Sequence, residues 1–505
     1  MSRSRQKDRR TDLVLLHPGR TDPPDTGALR RLVARDATVV AIQVPTVRAS
    51  GGLLRDELAH CHHQHGVDLA RLSPDLRLRD IVLLRRPDTG DGACRMALLH
   101  VWNTPGSRYD IDAVRIPWQS LPGPRDKRNN PRGKNPSNVW AFSATLDGPG
   151  NGRPAPTAVG ATTSHGIEAE ALRRLVRCHA GPGATVHAVA NAQDEALVRE
   201  VARAEGRTYR RLPAGRGDPF APIPMATKVP PETPASGREV TRRASRRKGP
   251  TVTARFVDGR AGQRGLPRGA VTHAVTSPPY NIAYNPFNVT IVDPHTGEGV
   301  APERKGYADA RSPEQYAGLL ESTFAALDEA ADPAGFELFL NLKNNYQRGR
   351  CHPPFYVLRL LPARWDLVDL LVWRYDISFD PARFKYKPVY EWVLRVGFGD
   401  LARPRRPMAD WYIPILKGNS RERRELAHPA MFPRALVHRA LAASARRPAL
   451  VADPFLGSGT TLAACLEAGV DGVGFEVLDE YQPDVERRLQ WAEPGAEPFS
   501  LPHVK

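Results

Sequence analysis

The stretch Asp453-Pro454-Phe455-Leu456-Gly457-Ser458-Gly459-Thr460-Thr461 decides the fold of this chain. It follows an apolar run at 449–452 that is typical of a buried strand, and a helical pattern begins at Thr460. Glycines in such a turn let the backbone approach a ligand, and the helix N-terminus offers free amide donors. The turn lacks the lysine of a triphosphate-binding loop, so the sequence does not indicate a nucleoside triphosphate site.

Two carboxylates accompany this turn. Asp453 ends the strand and can accept hydrogen bonds from an ammonium group. Glu476 ends the next strand pattern, 476 − 453 = 23 positions later, where a carboxylate would meet two ribose hydroxyls. The spacing predicts a ligand that carries both an ammonium group and a ribose. The alternative interpretation is an ordinary tight turn with a carboxylate nearby by chance.

After residue 250 the chain alternates strand and helix patterns. The predicted strands are 252–257, 271–276, 336–342, 367–373, 392–396, 449–453 and 472–476. The predicted helices are 313–331, 433–444 and 460–468. Such alternation predicts a mostly parallel, doubly wound α/β sheet, in which ligands bind at the carboxyl ends of the strands.

A second turn, Thr276-Ser277-Pro278-Pro279-Tyr280-Asn281, directly follows the predicted strand at 271–275. Two consecutive prolines rigidify the turn and remove amide donors, which leaves carbonyl acceptors pointing in one direction. Ser277 adds a hydroxyl acceptor, and Tyr280 adds a flat aromatic face. These groups suit a planar base that carries an amino group. A base inside a duplex cannot reach such a pocket, so it must be flipped out.

Together the two turns resemble those of the DNA amino-methyltransferases, and their order in the chain is similar to that of the β class. Three further segments are similar to motifs of that class: 256–259, 390–394 and 428–433, the last reading His-Pro-Ala-Met-Phe-Pro. The resemblance covers roughly residues 250–490. It implies S-adenosylmethionine as cofactor, with Asp258 near the adenine and the 428–433 segment on the methionine end.

The resemblance also implies the site residues and the reaction, which is methyl transfer to the exocyclic amino group of a flipped-out base in double-stranded DNA. The expected catalytic residues are Ser277, Pro278, Pro279 and Tyr280. The expected cofactor-binding residues are Asp258, Thr276, His428, Phe432, Asp453, Phe455, Gly457, Gly459, Thr460 and Glu476. No metal ligand is expected. The Ser-Pro-Pro-Tyr motif, with serine at 277, is similar to that of the cytosine-N4 enzymes, so cytosine N4 is the expected target. Adenine N6 stays open, because some adenine enzymes of this class also carry serine.

The composition fits a polyanionic partner. Lys and Arg number 72 against 55 Asp and Glu, a formal net charge of +17. This charge favours nucleic acid first and an anionic membrane second. The five cysteines form no CxxC pair, and the His- and Cys-rich segment at 60–65 fits no standard metal site. Without a signal peptide or an apolar run of membrane-spanning length, the expected location is the prokaryotic cytoplasm, beside the nucleoid.

The first half shows weak self-similarity to the second half in the same order. The matching segments are 11–20 with 271–281, 80–85 with 369–374, and 183–190 with 448–456. His17-Pro18-Gly19-Arg20 stands where the second half has its Ser-Pro-Pro-Tyr motif, and the first-half loop lacks both glycines of the cofactor turn. The pattern predicts a degenerate copy, and an unrelated α/β domain is the alternative.

These observations predict two tandem Rossmann-like sheets with flanking helices. The first, over 1–212, is expected to be the degenerate copy or a DNA-recognition domain. A Pro-rich, basic linker is expected over 213–250, and the catalytic domain over 251–505.

Two other function classes compete with a DNA methyltransferase. A non-catalytic DNA-binding protein on the same scaffold is disfavoured, because both second-half turns retain their chemical groups. A methyltransferase for RNA or protein amides is disfavoured by the motif order and by the 428–433 segment. The expected partner is double-stranded DNA. An internal pseudo-dimer, a homodimer and a cognate restriction enzyme are left open.

Overall fold

The computed structural model describes most of the 505-residue chain. The described residues are 11–16, 24–45, 47–48, 52–53, 55–59, 63–64, 67–69, 72–86, 94–115, 135–140, 167–189, 192–213, 227–244, 249–281, 291–292, 299–300, 311–347, 350–376, 386–401, 403–404, 407–444 and 446–493.

The first unit is a sheet with helices around it. Its strands are β1 (Leu13–Leu16), β2 (Thr38–Gln43), β3 (Arg77–Arg85), β4 (Met96–Asn103), β5 (Val139–Trp140), β6 (Thr185–Val189) and β7 (Thr208–Arg211). Its helices are α1 (Thr26–Val33), α2 (Arg55–Ala59), α3 (Ala169–His179) and α4 (Ala192–Ala204), with a 3-10 turn at Ile111–Val114 and a short hairpin of His63–Gln64 and Val67–Asp68. The strand order is β5-β3-β4-β2-β1-β6-β7.

The second unit holds the larger sheet. Its strands are β8 (Glu239–Arg243), β9 (Thr251–Arg255), β10 (His273–Thr276), β11 (Gly335–Leu342), β12 (Asp366–Arg374), β13 (Tyr390–Gly399), β14 (Asp410–Tyr412), β15 (Leu450–Asp453) and β16 (Asp471–Phe475). Its helices are α5 (Gly259–Arg264), α6 (Pro313–Ala330), α7 (Arg421–Glu425), α8 (Arg434–Ala443), α9 (Thr460–Ala468) and α10 (Gln482–Trp491), with 3-10 turns at Pro354–Arg359 and Asp479–Tyr481. Two short hairpins pair Ile291–Val292 with Gly299–Val300 and Asn345–Gln347 with Arg350–His352.

Read from its other edge, the larger sheet repeats the strand order of the smaller one. The order is β14-β12-β13-β11-β10-β15-β16, followed by β9 and β8. Strand directions also agree. In both sheets the four strands from the centre to one side are parallel, and a long antiparallel pair follows on the other side. The long strand next to the edge carries a register shift in each sheet, at Leu78/Asp80 in β3 and at Leu367/Asp369 in β12.

Buried side chains explain both the α/β architecture and the contact between the units. Strands β2, β4 and β11 are buried along their whole length, as expected for sheets covered on both faces. One apolar core cluster includes Leu83 and Trp102 of the first unit together with Leu338 and Trp365 of the second. Packing between the two units is therefore part of the main core.

The seven strands and three helices predicted for this unit agree with the structure to within two residues at either end, except that β13 extends to Gly399. The sequence did not predict α5, β14, α7 or α10. The predicted linker differs from the structure in its described part. Strand β8 pairs antiparallel with β9 and extends the larger sheet, so 239–243 belongs to the second unit. Alternation over Glu239–Arg243 is the local signal, which the surrounding prolines and basic residues obscured.

Among the described residues, no helix is long and apolar enough to cross a membrane. The same part of the chain contains no group of three or more His, Cys, Asp and Glu side chains arranged to hold a metal ion. Most of the His-rich 60–65 segment lies outside the described residues, as does His17–Arg20.

Candidate active site

A cleft of about 1310 Å³, open to solvent, lies at the carboxyl ends of β9, β10, β15 and β16. This volume includes open solvent, and the cavity volume proper is about 230 Å³. Of the predicted site residues, those that line it are Asp258, Ser277, Pro278, Pro279, Tyr280, His428, Phe432, Phe455, Gly457, Thr460 and Glu476. The two predicted turns are therefore brought together in one cleft.

The glycine turn runs from β15 to the start of α9. Gly457 and Gly459 both have positive φ, +55° and +81°, and Gly459 is the N-cap of α9. A Cβ on Gly457 would lie 2.9 Å from His428 Nε2, closer than real Cβ contacts. Glycine is therefore required at 457 for both its backbone conformation and the space beside it.

Glu476 holds this turn from the end of β16. Its Oε2 accepts from Gly457 N at 2.7 Å, and its Oε1 accepts from Leu478 N at 2.9 Å. Burial raises the pKa of Glu476 to about 7, against the lowering effect of these backbone donors. A carboxylate has about four acceptor positions, so lone pairs remain for ligand hydroxyls.

Asp453 and Thr276 lie behind the cleft wall and do not line it. Asp453 is fully buried, and its carboxylate accepts from Thr276 Oγ1 and Thr461 Oγ1, both at 2.6 Å, and from Phe455 N at 3.0 Å. Burial raises its pKa to about 6, despite these hydrogen bonds. In this structure Asp453 therefore ties β10, β15 and α9 together, rather than presenting a free carboxylate to a ligand ammonium group. Gly459 likewise shapes the turn without lining the cleft.

Asp258 contributes to a wall that the sequence did not predict. Burial would raise the pKa of Asp258, but hydrogen bonds from Arg260 and from Thr233 N hold it below its ordinary value. The guanidinium of Arg260 also donates to the carbonyls of Pro230 (2.7 Å) and Pro231 (2.9 Å). Residues 230–233, in the predicted linker, thus form a strap along the cleft, and we call them the proline strap.

The 428–433 segment forms another part of the cleft wall. Asp484 of α10 accepts from the backbone amides of Ala427 and His428 at 2.9 Å each, which fixes the start of the segment. The His428 ring packs edge-on against Tyr481, with 4.6 Å between ring centroids. Phe432 is buried against the core at the end of the segment.

The Ser-Pro-Pro-Tyr turn is fixed from several sides. Tyr316 of α6 donates to the carbonyl of Pro279 at 2.5 Å. Asn281 has a φ of +51°, and its side chain bonds the backbone of Arg311 in both directions, at 2.7 and 3.0 Å. Asn345 donates to the Asn281 carbonyl at 2.9 Å. A rigid turn of this kind presents its remaining polar groups in one geometry.

Ser277 and Tyr280 belong to a hydrogen-bonded chain that ends on a carboxylate. Ser277 Oγ lies 2.9 Å from Tyr280 Oη, which lies 2.8 Å from Asn341 Oδ1 and 3.0 Å from Glu391 Oε2. Asn341 Nδ2 donates to the Trp392 carbonyl, which turns its oxygen toward the two hydroxyls. Lys343 Nζ stands 3.5 Å from Glu391 and supplies the neighbouring positive charge.

Several of these residues have roles that the sequence did not predict. Glu391 lies in the 390–394 segment, and Asn341 lies inside an apolar strand pattern. Polar residues at the ends of buried strands were the available signal, because such positions face a ligand site in an α/β sheet. No comparable local signal marked the proline strap.

Comparison with known proteins agrees with the geometry. Residues 400–487 match the family model described as DNA methylase, of the N6/N4 type. The curated Type II methyltransferase M.ScaI of Streptomyces caespitosus is 26% identical over 263 residues, which cover 45% of this chain and 77% of that protein. The second unit therefore contains a segment that matches the N6/N4 DNA methylases.

Two other proteins are similar to parts of this chain. Type II methyltransferase M.SmaI of Serratia marcescens is 40% identical over 63 residues, 12% of this chain and 22% of that protein. Among solved structures, the PvuII DNA methyltransferase (cytosine-N4-specific) matches 47% of this chain and 86% of its own chain, with 17% identity and a TM-score of 0.35.

Proposed function

We propose that this protein transfers a methyl group from S-adenosylmethionine to the exocyclic amino group of a base flipped out of double-stranded DNA. The favoured target is N4 of cytosine, with N6 of adenine as the alternative. One observation supports this most strongly. The glycine turn with Glu476 and the Ser-Pro-Pro-Tyr turn with Glu391 line or adjoin a single cleft. A cofactor region and a base region are therefore adjacent, as direct transfer requires.

The cofactor side of the cleft fits S-adenosylmethionine. The lack of a Cβ at Gly457 leaves a cradle beside His428, and Glu476 retains acceptor capacity for ribose hydroxyls. Asp258 and the proline strap form the wall that would hold the adenine, and the 428–433 segment the wall for the methionine end. When bound, this cofactor supplies an electrophilic methyl group on a sulfonium.

The base side offers acceptors for an amino group. Ser277 Oγ and Asn341 Oδ1 lie 3.3 Å apart, so they form one compact acceptor cluster at the Pro-Pro turn. A neutral serine and an amide orient an amino nitrogen without adding charge to the pocket. The serine at 277 is the feature that supports cytosine N4 over adenine N6.

An amino nitrogen that gains a methyl group must lose a proton. The chain Ser277–Tyr280–Glu391 provides a route: Ser277 accepts this proton, its own proton passes to Tyr280, and the Tyr280 proton passes to Glu391. Each hydroxyl regains its initial protonation, and the carboxyl of Glu391 holds the proton. Positioned proton acceptors of this kind commonly contribute about 10²–10⁴-fold to a rate.

The direct test is methyl incorporation from isotope-labelled S-adenosylmethionine into duplex DNA, RNA and protein, followed by mass spectrometry of the nucleosides. The proposal expects N4-methylcytosine in DNA alone. N6-methyladenine as the sole product contradicts the cytosine assignment and leaves the family assignment intact. Label found only in RNA or protein contradicts the proposed substrate.

A further inference from the structure

The two units contact each other in a reciprocal way. Leu53 N, in the segment after β2, donates to the Leu367 carbonyl in β12 at 3.0 Å. From the other unit, Tyr346, in the segment after β11, donates to Asp80 in β3 at 2.8 Å. Strands β2 and β11 hold the same place in their sheets, as do β3 and β12. Each unit therefore places the segment after its central strand, β2 or β11, on the corresponding long strand of the other unit, β12 or β3.

A second pair of contacts is also reciprocal between the two units. Lys387 N donates to the Pro136 carbonyl at 3.0 Å, and Arg95 N donates to the Pro407 carbonyl at 2.9 Å. Pro136 lies three residues before Val139, the first residue of β5, and Pro407 lies three residues before Asp410, the first residue of β14. Helix α2 packs against the 3-10 turn at Pro354–Arg359, its counterpart in the second unit. Reciprocal contacts between like elements are the signature of a two-fold, dimer-type interface.

The first unit does not reproduce the site. Strand β6 ends at Val189 and α4 begins at Ala192, whereas residues 454–459 form a full turn between β15 and α9. By strand register, Ala188 occupies the position of Asp453. Pro213 occupies the position of Glu476, and Leu16 that of Thr276. The groups that shape a cofactor pocket are replaced by apolar side chains.

Strand β3 of the first unit nevertheless connects to the active site by two routes. On one route, Tyr346 donates to the buried Asp80, and the preceding residue, Asn345, holds the Asn281 carbonyl beside Tyr280. On the other, Tyr390 donates to the Ile81 carbonyl at 2.8 Å, and the next residue, Glu391, accepts from Tyr280. Tyr390 is buried and Tyr346 is partly buried, and both routes begin at the register shift of β3.

We propose that residues 11–213 take the place of a second subunit, and that Asp80 and Ile81 position the target-base pocket through Tyr346 and Tyr390. The expected effect on the methyl-transfer rate rests on the proposed function. The expected effect on amide exchange in the Ser-Pro-Pro-Tyr turn does not. The tyrosines are positioning residues, because they act on Tyr280 through their sequence neighbours.

The test uses full-length Tyr346→Phe, Tyr390→Phe and Asp80→Asn proteins, each of which removes one polar function and keeps the shape. Amide hydrogen exchange, read by mass spectrometry in the ligand-free protein, should speed up about tenfold in the peptide 276–281. Exchange over 453–460 should stay unchanged. At saturating S-adenosylmethionine and duplex DNA, single-turnover transfer should fall by about the same factor while cofactor affinity is retained.

Asp369→Asn is the matched control. Asp369 occupies the corresponding register shift in β12, is equally buried, and accepts from Leu370 N as Asp80 accepts from Ile81 N, at 2.8 and 2.9 Å. It should leave exchange over 276–281 and the transfer rate unchanged. Wild-type exchange in the three test variants, or the same acceleration in the control, overturns the proposal. A wild-type chain that methylates no DNA rejects the proposed function, and the exchange result still decides the positioning role.

Discussion

At the scale of single residues, the structure changes the meaning of the two predicted carboxylates. Asp453 and Glu476 were both predicted to bind the ligand directly, yet only Glu476 lines the cleft. Their type and their place at strand ends followed from the sequence. The sequence did not show which of the two carboxylates is occupied by hydrogen bonds within the fold. That depends on Thr276, which is 177 residues from Asp453 in the chain and donates to its carboxylate.

Glu476 makes cofactor binding and stability depend on pH in opposite directions. Its pKa is raised from 4.5 to about 7, so its favourable contribution to folding is complete below pH 4.5 and is lost as the pH rises through 7. The loss amounts to about 3 kcal/mol at most. The ionised form is the better acceptor for ribose, so S-adenosylmethionine affinity should rise about tenfold from pH 6 to pH 8. Calorimetry at the two pH values measures this, and equal affinities in the wild type contradict it. Glu476→Gln should bind weakly at both and lose stability less steeply with pH.

Gly457 and Gly469 offer a matched pair for the cofactor turn. Both have positive φ, +55° and +72°, so alanine strains the backbone by about 1 kcal/mol or more at either site. Only at 457 does the new Cβ meet His428, whereas nothing lies within 4 Å at 469. Gly457→Ala should weaken S-adenosylmethionine binding at least about tenfold, and Gly469→Ala should lower only the melting temperature. Equal affinities for the two variants would show that the turn does not approach the ligand.

At the scale of elements, periodicity predicted the long strands of the second unit and the helices α6, α8 and α9, because their apolar faces are set by the layers that they bury. The proline strap was missed for the same reason. It has no periodicity, and its place is set by Arg260, whose hydrogen bonds to Pro230 and Pro231 no local pattern encodes.

Of the two arginines of α5 that contact the proline strap, Arg260 and Arg264, only Arg260 should be needed to hold the strap in place. Arg260→Ala removes a buried guanidinium that joins Asp258 to the strap, so cofactor affinity should fall about tenfold and proteolysis near 230–233 should accelerate. Arg264, on the same helix, binds Glu232 in an exposed ion pair, which contributes about 0–1 kcal/mol. Arg264→Ala is the control and should have little effect. Equal losses in both variants would assign the effect to general loosening of α5.

At the scale of the whole molecule, the matching strand orders predict how many sites one chain holds. The short connection between Val189 and Ala192, together with Pro213 at the position of Glu476, leaves the first unit without a cofactor turn. Titration calorimetry should therefore give one S-adenosylmethionine per 505-residue chain. Because the dimer-type face is already covered within the chain, sedimentation should show a monomer at micromolar concentration, and Tyr390→Phe should not convert it into a dimer. Two cofactors per chain would contradict the loss of the first site. A wild-type dimer that dissociates when the inter-unit contacts of Leu367 or Asp80 are mutated would show that this face joins two chains rather than two halves of one.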